Sequence, residues 1–187
     1  MNKGIKISNK PWIIFLNSGD TFYNKFVIQN LRLILKKNKF ADIVVGNNLT
    51  KISNILIKSN RTELNEKTIG SCFSHQCTIV KTALMKKNLF NLEYKYAADF
   101  DFFIKMLKKK KKFIYIKNII SINIAGGISD SNQIKVLNEF RKIIFKENLK
   151  FIKLIRFGFY FFLILLNTLI KSILPNWITN KFIILKY

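Results

Sequence analysis

The stretch Trp-Ile-Ile-Phe-Leu-Asn-Ser-Gly-Asp at residues 12–20 decides the fold class of this chain. Its first five residues form an unbroken apolar run, which predicts a strand buried on both faces. The next four residues are turn formers and end that strand abruptly. Residues 25–37 then show helical spacing of apolar side chains, with Asn24 as the expected N-cap, and residues 42–46 predict a second strand. A strand, a helix and a strand in this order predict a layered α/β domain.

The same alternation continues along the chain, and no internal repeat interrupts it. Each segment is assigned from its apolar spacing and from the turn residues that bound it. Short strands are predicted within residues 49–58, at 77–80 and at 113–119; helices at 81–89, 97–107 and 133–145; and loops at 59–74 and 126–129.

Composition indicates one substantial core and a strong attraction for anions. The chain has 187 residues, of which 49% are hydrophobic, and its 33 basic against 10 acidic residues give a net charge of +23. Such a charge attracts nucleic acid, acidic lipid or phosphorylated substrates, but lysines that simply fill surface positions would give the same value. The lysine run at 108–112 ends a predicted helix, where cations suit the helix dipole. The lysines follow no nucleic-acid-binding pattern, so no specific nucleic acid is predicted as a partner.

The cysteine content favours a reducing compartment. Cys72 and Cys77 have neither a zinc-ligand spacing nor the number needed for a disulfide framework, so two reduced thiols are expected. The residues after Met1 lack the apolar segment of a signal peptide. Both observations predict a location in the cytoplasm or on the cytoplasmic face of the cell membrane.

The last part of the chain has a different character. Residues 157–170 are almost wholly apolar and are flanked by Lys150, Lys153, Arg156 and Lys171. This run is shorter than the roughly 20 residues that cross a bilayer. We expect a helix lying in the interface of an acidic membrane, with a short spanning helix and a helix packed on the domain as alternatives. The predicted domains are therefore residues 1–148 and a basic, apolar tail at 149–187.

Several polar residues follow predicted strands, where open α/β sheets bind ligands. Asp20 is a candidate metal ligand, and Asn17 and Ser18 precede it in a turn that could approach a phosphate; a plain turn capped by Asp20 is the alternative. His75 and Gln76 lie between a polar loop and a short strand, where a lone histidine is more often structural.

Two further segments contribute candidates. Asp99 and Asp101 lie in the first turn of an apolar helix, either as a catalytic base and its neighbour or as charges that complement the helix dipole. Gly127 and Ser129 belong to a glycine-containing segment that is by itself a weak signal of a binding loop.

Four motifs in order resemble the central segment of family 2 glycosyltransferases, in particular the branch that builds bacterial surface polysaccharides. They are Asn-Lys-Gly-Ile at residues 2–5 with the strand that ends at residues 17–20, Ser-His-Gln at 74–76, Tyr-Ala-Ala-Asp-Phe-Asp at 96–101, and Gly-Gly-Ile-Ser at 126–129. The resemblance covers residues 2–145. It implies an incomplete GT-A-like sheet, because the half that binds the nucleotide base precedes the first motif in that family.

The resemblance also implies a mechanism. Asp20 would hold Mg²⁺ or Mn²⁺ together with the diphosphate of a nucleotide-sugar donor. Asp99 would be the general base that deprotonates the acceptor hydroxyl, with inversion at the anomeric carbon. Asn17, Ser18, His75, Gln76, Asp101, Gly127 and Ser129 would contact the substrates.

Partners follow from the same resemblance. They are a nucleotide-sugar donor, a saccharide or lipid-linked acceptor, an acidic membrane surface and a separately encoded amino-terminal half. The alternative function is a truncated, inactive remnant that acts only as a basic membrane- or nucleic-acid-binding protein. Binding of a nucleotide sugar separates the two.

Overall fold

The structure is a computed structural model that describes residues 1–59 and 74–147. The first compact unit is Met1–Ala125, and the described part of the second runs from Gly126 to residue 147. Cys72 and the predicted tail at 149–187 lie outside the described residues. The domain boundary after residue 148 therefore stays a prediction.

The first unit alternates helices and strands, as an α/β domain requires. Its elements are α1 Asn2–Ile7, β1 Trp12–Ile13, β2 Thr21–Phe22, α2 Val27–Lys37, β3 Ile43–Ile52, β4 Ile55–Ser59, β5 Thr78–Lys81, α3 Thr82–Lys87, α4 Ala98–Lys108 and β6 Phe113–Ile124. The strands form one sheet with the order β1-β5-β3-β6-β2, and β4 pairs with β3. Among the described strands, β3 and β6 are the parallel pair, and every other pair is antiparallel.

Helices cover both faces of this sheet. On one face, α1, α3 and α4 pack around Ile43 and Val45 of β3, with the buried rings of Phe102 and Phe103 at the centre. On the other face, α2 packs on Val44. Alternate residues of β3 therefore enter opposite clusters, as the two-residue period of a strand requires. The predicted layered α/β class is confirmed.

The central pair of strands is irregular at Gly46. Val45 pairs with Tyr115, and Asn48 pairs with Ser121. Between these two pairs β3 advances by three residues and β6 by six, so β6 bulges over β3. A Cβ at Gly46 would lie 2.5 Å from Cγ1 of Ile120 and 2.9 Å from the carbonyl oxygen of Asn118. Glycine is required here because the bulge leaves no room for a side chain.

Gly46→Ala is expected to lower the free energy of unfolding by about 1–3 kcal/mol, because the added methyl meets a backbone carbonyl that cannot easily move. Urea denaturation would measure the change. Gly127→Ala is the matched control: a Cβ there has no neighbour within 4 Å among the described residues, and we expect a change within about 0.5 kcal/mol. Equal effects of the two substitutions would contradict the crowding at Gly46.

Four local predictions need correction. The strand at residues 12–16 is shorter and less buried than expected: β1 contains Trp12 and Ile13, is half-buried, and pairs with β5 at the end of the described strand order. Asn24 does not cap α2; its Oδ1 accepts a hydrogen bond from the amide of Phe26 at 2.9 Å, ahead of the first helical residue.

The other two corrections are helices that the pattern did not predict. Residues 2–7 form α1, and the side chain of Asn2 bonds both the carbonyl oxygen and the amide of Phe90, which ties the helix to a distant segment. The predicted loop at 126–129 is a loop for two residues only. At Ile128 the chain enters a short helix, in which the amide and hydroxyl of Ser131 both donate to the carbonyl oxygen of Gly127.

The described part of the second unit is helical. It consists of α5, Ile128–Ser131, and α6, Gln133–Lys146, which buries Leu137, Ile143 and Ile144. The predicted helix at 133–145 is confirmed. Within residues 1–59 and 74–147, no helix has both the length and the apolar character needed to cross a bilayer.

Candidate functional site

The first part of the site is the tight turn that follows β1. The amide of Asp20 donates to the carbonyl oxygen of Asn17 at 3.1 Å, and the carboxylate of Asp20 accepts from the amide of Asn17 at 3.0 Å. Gly19 is the third residue of this turn and has a φ of +90°, which the type II turn demands and glycine adopts freely. The turn sequence thus folds back on itself and exposes the side chain of Asn17.

The second part is a single turn of 3₁₀ helix, His75–Cys77, directly before β5. Its carboxyl end is fixed to the sheet, because Thr78 pairs with Val45 of β3. The turn presents His75 half-buried, with 17% of its side chain exposed. The strand predicted directly after this segment is present as β5, whereas residues 60–73 of the loop predicted before it lie outside the described residues.

The third part is the first turn of α4, where Asp99 lies. Its Oδ1 accepts a hydrogen bond from the amide of Phe100 at 2.8 Å, and 27% of its side chain is exposed. A carboxylate at this end of a helix is stabilised by the unpaired amides of the first turn. The helix itself is held by its apolar side chains, so Asp99 is presented from a rigid element.

These three parts converge on His75. Its Nδ1 lies 3.0 Å from Oδ2 of Asp99, and its Nε2 lies 3.1 Å from Oδ1 of Asn17. The three residues are 24 and 58 positions apart in the chain, so the tertiary fold assembles this row of side chains.

Both ring nitrogens of His75 have a hydrogen-bond partner in this row. Asp99 accepts the Nδ1 proton, and the amide of Asn17 presents its oxygen or, after a flip, its nitrogen to Nε2. Asp20 joins the same row through its hydrogen bond to the backbone of Asn17.

The remaining predicted residues are distributed as follows. Ser18 is exposed in the turn beside Asn17. Gln76 follows His75 and is half-buried, with its Oε1 accepting from the hydroxyl of Ser74. Gly127 and Ser129 are exposed at the start of the second unit.

Asp101 differs from Asp99 in its surroundings. Its side chain is 2% exposed, and one of its oxygens accepts from Nζ of Lys105 at 2.6 Å, one helical turn further on. The other carboxylate oxygen has no hydrogen-bond partner among the described residues. Burial and this ion pair place Asp101 within the packing of α4, whereas Asp99 is accessible.

A buried polar network next to the turn that carries His75 was not predicted from the sequence. Asn48 donates through its side-chain amide to Oδ1 of Asn123, and Asn123 donates to the hydroxyl of Thr50 at 3.3 Å. The thiol of Cys77 lies 3.7 Å from Oδ1 of Asn48, which connects the network to the turn that carries His75. The one sequence signal was the pair Asn47-Asn48 inside an apolar strand, where asparagine is depleted.

One carboxyl with a shifted pKa lies at the beginning of β3, away from these residues. Burial raises the pKa of Asp42, but the hydrogen bond from the amide of Lys112 and the ammonium groups of Lys81 and Lys111 outweigh it, so the net shift is downward. The hydrogen bonds, at 3.1 Å from Lys112 and 3.4 Å from Lys81, join β3 to β6 and β5. Asp42 therefore has a structural role.

The sequence of the chain is similar to those of proteins named as glycosyltransferases. No family model matches it. Similar proteins named PGL/p-HBAD biosynthesis glycosyltransferase come from Mycobacterium bovis and Mycobacterium tuberculosis, each 22% identical over 134 residues. The aligned region covers 70% of this chain and 52% of each relative, so the chain spans about half the length of the curated relatives it matches.

A comparison of structures finds a similar fold. The crystal structure of Staphylococcus aureus TarS residues 1–349 superposes with a TM-score of 0.54 and 18% identity, covering 76% of this chain and 43% of TarS. TarS is a glycosyltransferase of the GT-A type, and at this identity the likeness concerns the fold. The chain is therefore similar in sequence to glycosyltransferases, and the fold that brings His75 and Asp99 together is that of part of a GT-A-like domain.

Proposed function

We propose that this chain transfers a sugar from a nucleoside-diphosphate donor to a saccharide acceptor during synthesis of a surface polysaccharide or glycolipid, with inversion at the anomeric carbon. The observation that carries the proposal is the row Asn17–His75–Asp99, assembled from three separate segments that each belong to a family motif. The similarity to glycosyltransferases in sequence and fold supports the reaction class.

Asp99 is the proposed general base. A base must lie within hydrogen-bond reach of the acceptor hydroxyl and keep its orientation while it takes the proton. His75 and the amide of Phe100 hold the two oxygens of Asp99, and the exposed part of its side chain leaves an approach for the acceptor. Proton transfer from the hydroxyl to Asp99 would accompany attack of that oxygen on the anomeric carbon and departure of the nucleoside diphosphate.

Asp20 is the proposed protein ligand of Mg²⁺ or Mn²⁺. A carboxylate oxygen suits either ion, and the turn at residues 17–20 leaves Asp20 half-exposed. The described residues contain no group of three or more acidic, histidine or cysteine side chains close enough to hold a metal ion, so donor phosphate oxygens or water would complete the set. When bound, the ion would neutralise charge on the leaving diphosphate.

The remaining proposed roles are contacts of this chain with the substrates and with the membrane. Ser18 and Gln76 flank the row and would meet the diphosphate or the acceptor, and Gly127 and Ser129 are further proposed substrate contacts, whereas the burial of Asp101 argues against direct contact for that residue. Residues 149–187 are the proposed membrane-associating segment. This segment would bring the enzyme to a lipid-linked acceptor at the cytoplasmic face of the membrane.

Transfer is expected to depend on the metal ion and on Asp20. The chain itself, and its fusion to the nucleotide-binding half of a relative, would be assayed against a panel of nucleotide sugars with Mg²⁺ or Mn²⁺. We expect EDTA or Asp20→Ala to lower transfer by about 100-fold, since the leaving charge would no longer be neutralised. Glu93→Gln removes one exposed carboxylate elsewhere and should leave transfer unchanged.

Two outcomes would contradict the proposal. Full transfer by Asp20→Ala in EDTA would remove the metal role. No transfer by either protein with any donor would contradict the enzyme and favour a protein that only binds membranes or nucleic acid.

A further inference from the structure

We infer that Thr78 is a positioning residue for His75, and that its buried hydroxyl keeps the histidine ring within reach of both Asp99 and Asn17. The inference rests on the proposed function in one respect, the effect on turnover. The geometric part concerns the hydrogen bond between His75 and Asp99 and stands independently of activity.

The turn that carries His75 is too short to hold its own shape. It contains three residues, and the hydrogen bonds of a 3₁₀ helix are poorly aligned compared with those of an α-helix. Its register must nevertheless be fixed closely, because both ring nitrogens meet partners at about 3 Å on separate segments. A displacement of about 1 Å would break at least one of these bonds.

Thr78 holds this turn at two points. Its backbone amide donates to the carbonyl oxygen of His75, and its hydroxyl donates to the carbonyl oxygen of Ser74 at 2.7 Å. These two carbonyls belong to the peptide units on either side of the His75 Cα. The orientation of both peptide planes, and hence the direction of the His75 side chain, is therefore fixed by one residue.

Thr78 is itself held by the sheet. It is 2% exposed, and its Cα pairs with Val45 in the antiparallel ladder between β5 and β3. The Ser74 carbonyl also accepts from the amide of Cys77 at 3.1 Å and from its thiol at 3.5 Å. The thiol bond is weak because sulfur is a poor donor, so the hydroxyl of Thr78 is the strongest side-chain contact on this carbonyl.

Thr82 provides a matched comparison within the same region. It follows β5 directly, is 4% exposed, and its hydroxyl has no hydrogen-bond partner among the described residues. Thr82→Val and Thr78→Val make the same chemical change at similarly buried sites. They differ in whether the lost hydroxyl held the turn that carries His75.

The test uses the full chain and its single histidine. Because the chain contains one histidine, nuclear magnetic resonance of ¹⁵N-labelled protein gives one pair of ring-nitrogen signals. In the wild type, the Nδ1 proton bonded to Asp99 is expected to give a signal protected from exchange with water. Asp99→Asn calibrates the signal of a ring that has lost its charged partner.

We expect Thr78→Val to lose the protected Nδ1 signal, and Thr78→Ser and Thr82→Val to keep it. In the transfer assay, Thr78→Val should lower kcat about tenfold with little change in the KM of the donor, because orientation is lost and donor contacts are kept. Circular dichroism would show that each variant is folded. If Thr78→Val does not fold, Thr78→Ala serves the same comparison with Thr78→Ser.

An unchanged Nδ1 signal in folded Thr78→Val would overturn the inference, whatever the activity. Loss of the signal in Thr82→Val as well would also overturn it, because any buried hydroxyl would then have the same effect. A wild-type chain with the protected signal and no transferase activity would instead contradict the proposed function alone.

Discussion

Replacing Asp99 by asparagine is expected to cut the turnover of sugar transfer by about 10²–10⁴-fold, the usual contribution of a general base. The amide keeps the size and shape of the carboxylate but cannot accept the acceptor proton. The hydrogen bond from the amide of Phe100 can remain, so the first turn of α4 should keep its structure. The loss should therefore appear in kcat, and donor affinity should stay within about twofold.

The control for this prediction is Asp101→Asn, two positions along the same helix. Asp101 is buried against Lys105, so this change is expected to affect stability more than turnover. Initial rates at several donor concentrations, together with donor binding by calorimetry, would separate the two effects. Retained activity in Asp99→Asn with lost activity in Asp101→Asn would move the base to Asp101.

The largest effect on stability is expected at Phe102. This side chain is 2% exposed, lies edge-on to Phe103 with ring centroids 5.3 Å apart, and contacts Phe90 at 5.5 Å. Phe102→Ala removes a ring from the cluster that fixes α4 on the sheet and leaves a cavity. We expect the free energy of unfolding to fall by about 3–5 kcal/mol, measured by urea denaturation.

Phe26→Ala is the matched control. The ring of Phe26 is 51% exposed and has the ammonium group of Lys25 at 5.2 Å from its centroid. Its removal should cost less than about 1 kcal/mol. A similar loss for both variants would mean that Phe102 does not hold α4 in the way its contacts indicate.

The sequence predicted most elements of the fold because local patterns specify them. The apolar spacing of α4 and the apolar run that begins β3 are visible without any tertiary information. By contrast, α1 contains Gly4 and no strong apolar stripe, and the contacts between Asn2 and Phe90 hold it across 88 positions. The short β1 was misjudged because burial on both faces depends on neighbours in the sheet.

The candidate site was predicted as a set of residues but not as an arrangement. Asn17, His75 and Asp99 each belong to a motif of the family resemblance, and the fold brings the three side chains together. Nothing in the spacing indicated that His75 would bond both of the others. The support from Thr78 and Asn48 was also invisible, because a hydroxyl or an amide in a strand acquires a role only when the fold supplies its partner.

The bulge over Gly46 divides β3 into two halves that are held by different kinds of contact. This difference affects the order in which parts of the protein unfold. Residues 43–45 place their side chains in the two apolar clusters, whereas Asn48 and Thr50 beyond the bulge are held by amide and hydroxyl contacts. A typical hydrogen bond contributes only about 0.5–1.5 kcal/mol net, so the half of β3 held by these polar contacts need not unfold together with the half packed in the apolar clusters. On warming, the amide protons of β3 beyond the bulge, at residues 47–52, should exchange with solvent before those at residues 43–45 do. For the proposed transferase, activity would then be lost at a lower temperature than that at which the core unfolds, so inactivation would precede denaturation.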